Sequence, residues 1–323
     1  MSSLIREASK INESDPLDPL DQTSLTPLIA VSAGSTVRAV VEAITVPLGE
    51  AGVSDPQQVA SDIIAALLEV PRWWPAMNRR TAASGELAAR AAEAVRRLSS
   101  GAPFAYAVGC TQFRHLDLLV DERVLIPRPE TEILVSEILE LANARFGSND
   151  NWGIGIDIGT GSGAIALSLA AEGNFERVIA TDASADALEV AQANATRSAH
   201  ALRTQVDFRR GSLLSPVRGV KAAVLVSNPP YVAFSEIDTL PRSVRDWEPP
   251  MALFSGHNGM SATAEIIREG SGNLVSGGML ALEVDERRAS LVAEMIMRQG
   301  SYSDVGVRLD LTGRERFVFA TRV

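Results

Sequence analysis

The chain has 323 residues, 46% of them hydrophobic and 22% charged, with a formal net charge of −10. A length beyond one compact core predicts two domains, and 40 acidic against 30 basic residues argue against broad binding to a nucleic-acid backbone. The single cysteine, Cys110, excludes an internal disulfide framework, and no apolar run approaches the roughly 20 residues that span a bilayer.

Residues 1–35 are polar, with Asp15-Pro16 and Asp18-Pro19, and read as a disordered extension without a signal-peptide core. The expected location is the cytoplasm. Residues 36–100 predict a small helical domain. "TVRAVVEAITVPLGEAG" ends on glycine, "DPQQVASDIIAALLEV" opens with an Asp cap and a proline, and "ASGELAARAAEAVRRLSS" follows. Apolar residues recur there at three- and four-residue spacing. Trp73 and Trp74, between the second and third of these stretches, read first as helix-packing anchors, with a ligand-holding role as the alternative.

Residues 101–128 contain "PFAYAVGCTQFRHLDLLVDERVLI", whose alternation predicts a β-hairpin linker. "PRPETEILVSEILELANARF" then predicts a helix with Pro129 in its first turn and Glu130 and Glu132 where the helix dipole favours anions. Arg128 and Glu130 could close over a ligand as a lid, or form a linker salt bridge with helix capping. Beyond them strands and helices alternate: "GIGIDI", "GAIALSLAAE", "RVIATD", "SADALEVAQANATRSA", "QVDFRRG", "AAVLVS", "GMLALEV". That order implies a parallel, doubly wound sheet covered on both faces. "VGVRLDLTGRERFVFATRV" adds two strands around a turn, an antiparallel hairpin. The expected fold class is therefore α/β, with a Rossmann-like, mostly parallel sheet over residues 129–323 closed by that hairpin. Such a sheet suits a class I S-adenosylmethionine-dependent methyltransferase better than a plain dinucleotide-binding fold.

Gly159, Gly161 and Gly163 stand between the first strand of that sheet and its helix, with Thr160 and Ser162 between them. Glycines there allow a sharp turn and close backbone approach to a ligand, and the helix start offers N–H groups to an anion. The anion could be a pyrophosphate or the carboxylate of S-adenosylmethionine. Asp182 ends the second strand, 23 residues on, where a carboxylate can accept from ribose hydroxyls; capping the next helix is the alternative. Asp157, inside the first strand, either orients the loop or contacts a cofactor amino group. Leu213, after Ser212, could offer an apolar face to adenine or serve as loop packing. His115, His200 and His257 have no metal-ligand spacing, so no metal site is expected.

Asn228-Pro229-Pro230-Tyr231 follows the fourth strand directly. Proline cannot donate to a ladder, so the strand stops there. The fourth strand of such a sheet lies beside the first, at the crevice. A planar –NH₂ group is a poor nucleophile. An Asn oxygen and the Pro229 carbonyl can each accept one of its protons and aim the nitrogen at a methyl donor. Tyr231 can lie over the flat amide or base. A turn-only role explains the prolines but not the Asn and Tyr that flank them.

Together with "DIGTGSGAIAL", "VLIPRPETEIL", "GAPFAYAVG", "DWEPPMALFSGHNG" and "DLTGRERFV", this tetrapeptide resembles the HemK/PrmC family, the release factor glutamine methyltransferases, over residues 36–323. The resemblance implies a helical substrate-docking domain, a hairpin linker and a methyltransferase domain. It implies S-adenosyl-L-methionine as cofactor and, as transient protein partner, a peptide chain release factor methylated on the glutamine of its Gly-Gly-Gln loop. Asn228 and Tyr231 carry over as ligands of the glutamine amide, with Pro229 and Pro230 shaping the pocket. Gly159, Thr160, Gly161, Ser162, Gly163, Asp182 and Asn228 carry over as cofactor contacts. The chain departs from the family at Ser212-Leu213, where an acidic residue and an aromatic are common, and in "ALEVDERRA", which lacks a frequent Gln. No nucleic-acid partner or membrane is expected, and the chain is expected to work as a monomer. The alternatives are an adenine amino-methyltransferase on DNA or RNA, a glutamine methyltransferase of another protein, and a non-catalytic cofactor-binding adaptor. A nicotinamide dehydrogenase ranks last, since it explains only the glycine loop.

Overall fold

The structure is a computed structural model that describes residues 35–148 and 150–323. The extension expected over residues 1–35 lies, up to residue 34, outside the described residues. The chain divides after Ser100 into two compact units.

The first unit is helical. Helix α1 (Val37–Glu50) is capped by Thr36, α2 (Pro56–Leu68) by Asp55 and α4 (Gly85–Ser99) by Ser84, each side chain accepting an N–H from the first turn. Val40, Val41, Ile44 and Leu48 of α1 face Ile63, Ile64 and Leu67 of α2 and the small stripe Ala88, Ala91, Ala94 of α4, all buried. Alanines at those positions let helices approach closely. Trp73 departs from the expectation of a packing anchor, being 63% exposed, while Trp74 is half-buried at the start of the short helix α3 (Trp74–Met77).

The second unit opens with helix α5 (Phe104–Val108), not with a strand. Pro103 ahead of it and Gly109 behind it, at a φ of 81°, bracket one helical turn, and over so few residues alternation cannot be told from a helix. The hairpin follows as β1 (Cys110–Phe113) and β2 (Leu116–Leu119). It is no free linker. Phe113, Leu116 and Leu118 are buried against α6 (Pro129–Phe146) and α7 (Ala164–Glu172).

The main sheet contains β3 (Ile154–Ile158), β4 (Arg177–Asp182), β5 (Val206–Arg210), β6 (Ala222–Ser227), β7 (Leu274–Glu283), β8 (Tyr302–Leu309) and β9 (Glu315–Arg322). Its order is β5-β4-β3-β6-β7-β9-β8, parallel except for β9, which runs antiparallel to both neighbours. One face packs on α6 and α7; the other packs on the helices Ser261–Gly270 and Ala289–Gln299. Strand β6 is buried at every position, which is why it reads as a continuous apolar run. The strand order reverses between β3 and β6, and ligands bind such sheets at the carboxyl ends of the strands flanking that point. Among the described residues, no helix is long and apolar enough to cross a membrane.

Asn194, fully buried on α8 (Ala185–Arg197), ties the hairpin to the loop between β3 and α7. Its oxygen accepts the Leu119 N–H at 2.7 Å, and its –NH₂ donates to the carbonyls of Leu119 and Ser162 at 3.0 and 2.9 Å. Replacing Asn194 by Ala strands those backbone groups. We expect a loss of about 2–3 kcal/mol in denaturant unfolding, with weaker ligand binding at the loop holding Ser162. A stability within about 0.5 kcal/mol of wild type would contradict this account.

Candidate active site

Ile158 and Ser227 are register partners, and the Ser227 hydroxyl donates to the Ile158 carbonyl at 2.7 Å. The glycine loop and Asn228 therefore leave the sheet side by side. Gly159 and Gly161 have φ of 74° and 54°, with open space where a Cβ would point. At Gly163 a Cβ would lie 3.2 Å from Leu167 and 3.3 Å from Ala191, so this glycine seats α7 against α8.

Asp157 lies beneath the loop, fully buried. One carboxylate oxygen accepts from the Thr160 hydroxyl at 2.6 Å and the Ala166 N–H at 3.1 Å; the other has no hydrogen-bond partner among the described residues. Burial pushes its pKa up to about 7 against those two donors. This geometry orients the loop. Asp182 accepts the N–H groups of Gly161 and Ser184, each at 2.9 Å, and the cap of α8 is Ser184. The helix-capping alternative for Asp182 is thereby answered.

A cavity of about 620 Å³ opens over these strand ends, within the roughly 300–1,000 Å³ typical of small-ligand sites. Gly159, Gly161, Asp182, Leu213, Asn228 and Pro230 line it. Asp157, Thr160, Ser162, Gly163, Pro229, Tyr231, Arg128 and Glu130 do not. Among the described residues that line it, Glu122, Asp182, Asp186 and Glu265 are acidic and Arg123 is the one cation, its guanidinium held by Asp121 at 2.7 Å. Residues 122–125 form part of the wall, so the stretch expected to be a linker helps to build the site. Leu213 sits there with a φ of 44° and its carbonyl near the Thr181 hydroxyl.

After β6, Pro229 is buried and Asn228, Pro230 and Tyr231 are half-buried. The Asn228 –NH₂ donates to the Thr131 hydroxyl at 3.3 Å, and Thr131 donates to the Glu283 carboxyl at 2.7 Å. Glu283 is 1% exposed, and burial raises its pKa to about 7. Burial likewise pushes the Tyr231 phenol up to about 12, with Glu283 adding to the effect, so it stays neutral. The segment beyond is pinned from several sides. Val232 bridges Phe254, Glu236 accepts the Ala233 N–H, and Arg288 reaches both Glu236 and the Tyr231 carbonyl. Gly259 packs on that same carbonyl, where a Cβ would lie 2.1 Å from the oxygen.

Residues 40–109 match the PrmC N-terminal domain and residues 131–241 the methyltransferase small domain. The release factor glutamine methyltransferase of Moorella thermoacetica is 37% identical over 277 residues, covering 85% of this chain and 94% of that protein. Its counterpart in Deinococcus radiodurans is 34% identical over 86% of this chain and 95% of that protein. The chain belongs to the release factor glutamine methyltransferase family. A solved release factor-specific protein-(glutamine-N5) methyltransferase from Alicyclobacillus acidocaldarius is 26% identical, covering 61% of this chain and 94% of that one with a TM-score of 0.37. The family's methyltransferase fold is the α/β fold expected from the strand and helix order, with its antiparallel closing hairpin.

Arg128, expected either in a lid with Glu130 or in a linker salt bridge, is engaged in an ion pair: both oxygens of Glu248 hold its guanidinium, at 2.6 and 2.7 Å. Glu248 is 2% exposed and its pKa is raised by burial against the pull of Arg128. The sequence reading also missed Thr131, Gly259, Glu283 and Arg288. The one local signal was Glu283 itself, an acid ending the aliphatic run "MLALE" on a buried strand.

Two outcomes are expected. Gly259→Ala forces the Tyr231 carbonyl to move and adds strain at a φ of 82°, so activity drops and stability falls by about 1–3 kcal/mol. Wild-type activity and melting temperature in that variant would contradict the packing. Asp157 and Glu283 have pKa values raised from 3.8 and 4.5 to about 7, so between those limits the folded chain keeps protons that the unfolded chain has lost. Their contribution to stability is complete below about pH 4 and disappears as pH rises through about 7. Denaturant titrations across that window are expected to show a declining stability that is shallower in Glu283→Gln, and equal slopes would contradict the assignment.

Proposed function

We propose that this chain transfers the methyl group of S-adenosyl-L-methionine to the side-chain amide nitrogen of the glutamine in the Gly-Gly-Gln loop of peptide chain release factors. The observation that carries the reading is the position of Asn228 beside the glycine loop, at the edge of a carboxylate-lined cavity. A cavity with Glu122, Asp182, Asp186 and Glu265 on its wall suits a ligand bearing an ammonium and a sulfonium, and repels a pyrophosphate.

When bound, the cofactor supplies an electrophilic methyl group on a sulfonium. Gly159 and Gly161 would leave its amino-acid end room against the backbone, Asp182 would accept from the ribose hydroxyls, and Leu213 would offer an apolar face to the adenine. Asn228 Oδ1 and the Pro229 carbonyl each accept one N–H of the substrate amide, which frees the nitrogen to pyramidalise toward the methyl. Tyr231 packs against the flat amide. A strong base is unnecessary, because the methylated nitrogen is acidic and sheds its proton readily. The helical unit docks the substrate protein, and the chain works as a monomer in the cytoplasm.

Labelled cofactor, a purified release factor, its Gln-to-Ala loop variant, and duplex DNA or RNA as separate acceptors test the reading. Label is expected in the release factor alone, absent from its loop variant, and reduced by ~10²–10³-fold in kcat for Asn228→Ala. Label in nucleic acid alone would replace the proposal with an adenine amino-methyltransferase.

A further inference from the structure

A side-chain amide has two ends of nearly the same shape, and Asn228 can perform its proposed role in only one orientation. With its –NH₂ toward the substrate nitrogen, donor would meet donor. The prolines after it restrain the backbone but not the amide rotation. We infer that Thr131 and Glu283 are positioning residues that hold the Asn228 amide with its nitrogen inward and its oxygen toward the acceptor nitrogen of the substrate. This inference rests on the functional reading above.

The three side chains form a chain of hydrogen bonds with one direction. An ionised Glu283 carboxylate can only accept. The Thr131 hydroxyl has one proton and gives it to that carboxylate at 2.7 Å. Its oxygen is then left to accept, and the group facing it at 3.3 Å is the Asn228 amide, which must present –NH₂. Flipping the amide would set its carbonyl against a lone pair of Thr131 and the Glu283 charge.

The fold places all three groups. Ser227 and Leu282 are register partners, so Asn228 and Glu283 leave adjacent strand ends. Thr131 comes from the first turn of α6, whose N-terminus favours a nearby anion. Thr131 and Glu283 are 4% and 1% exposed, so water cannot take their place. The charged groups facing Glu283 are Arg316 from β9, itself held by Asp310 at 3.3 Å, and Glu130 from α6. With a proton on Glu283 the chain can run backwards, the acid donating to Thr131 and Thr131 to the Asn228 carbonyl. Acidification therefore releases the orientation.

Steady-state kinetics of the full chain with S-adenosylmethionine and a release factor test this in wild type, Thr131→Val, Thr131→Ser and Glu283→Gln. Transfer by wild type is the separate check on the functional reading and is seen before any variant is compared. Thr131→Val, which keeps the side-chain shape, is expected to lose ~100-fold in kcat. Its KM for the release factor and its cofactor affinity by calorimetry are expected to stay within about twofold, which also reports a folded site. Thr131→Ser restores kcat to within a few-fold of wild type. The wild-type fall in kcat toward acid pH becomes shallower in Glu283→Gln, Asp157 beneath the glycine loop being left to titrate. An active wild type with Thr131→Val at the same kcat would overturn the inference. So would Thr131→Ser as poor as Thr131→Val, since the methyl group rather than the hydroxyl would then matter. A Glu283→Gln enzyme whose acid fall is unchanged from wild type would overturn it as well.

Discussion

The site depends on one lateral pairing, that of β3 with β6 in the middle of the sheet. Ile158 and Ser227 are held opposite each other by the ladder and by the Ser227 hydroxyl on the Ile158 carbonyl. Because strand side chains have a period of two residues, a slip of one residue here would turn both loops to the wrong face. Everything functional is built outward from that register. The glycine loop turns away at Gly159, the Asn-Pro-Pro-Tyr segment leaves at Asn228, and the cavity lies over both.

The region around those strand ends concentrates buried acids. Asp157, Glu248 and Glu283 are each at most 2% exposed, where an unpartnered charge is costly. Each is met by a donor from a loop or the first turn of a helix: Thr160 and Ala166 for Asp157, Arg128 for Glu248, Thr131 for Glu283. Aliphatic residues of similar size would make a more stable core, since breaking even with a buried charge needs excellent geometry. What the acids supply instead is direction. A hydrogen bond to a carboxylate fixes where a loop atom points, and an apolar contact does not.

The far side of the Asn-Pro-Pro-Tyr segment shows the same economy of motion. The Tyr231 carbonyl receives the Arg288 guanidinium and has Gly259 pressed against it, and Val232 is bridged to Phe254. Phe234 stacks on Phe254 at 5.4 Å, which continues the contact outward. A tetrapeptide held from the sheet at one end and from residues 253–259 at the other has little freedom to rearrange. Such preorganisation suits a reaction whose demand is the aim of a weak nucleophile.

By itself the sequence determined what short-range backbone chemistry dictates. Glycines at positive φ before a helix, prolines that end a strand, Pro129 at a helix start and the alternation of strands with helices each announce themselves within a few residues. The same locality misled at residues 104–108, where one helical turn imitates a strand, and at Trp73, whose bulk suggested an anchor while the side chain is largely exposed. Only the tertiary structure decided the partners. Asn228 meets Thr131 across 97 positions, Thr131 meets Glu283 across 152, and Arg128 meets Glu248 across 120. Side-chain pairing over such separations is set by strand order and helix placement, and no spacing in the sequence records it. That is why the tetrapeptide stood out in the sequence, while its hydrogen-bond partners appeared only once β6, β7 and the start of α6 had been brought together.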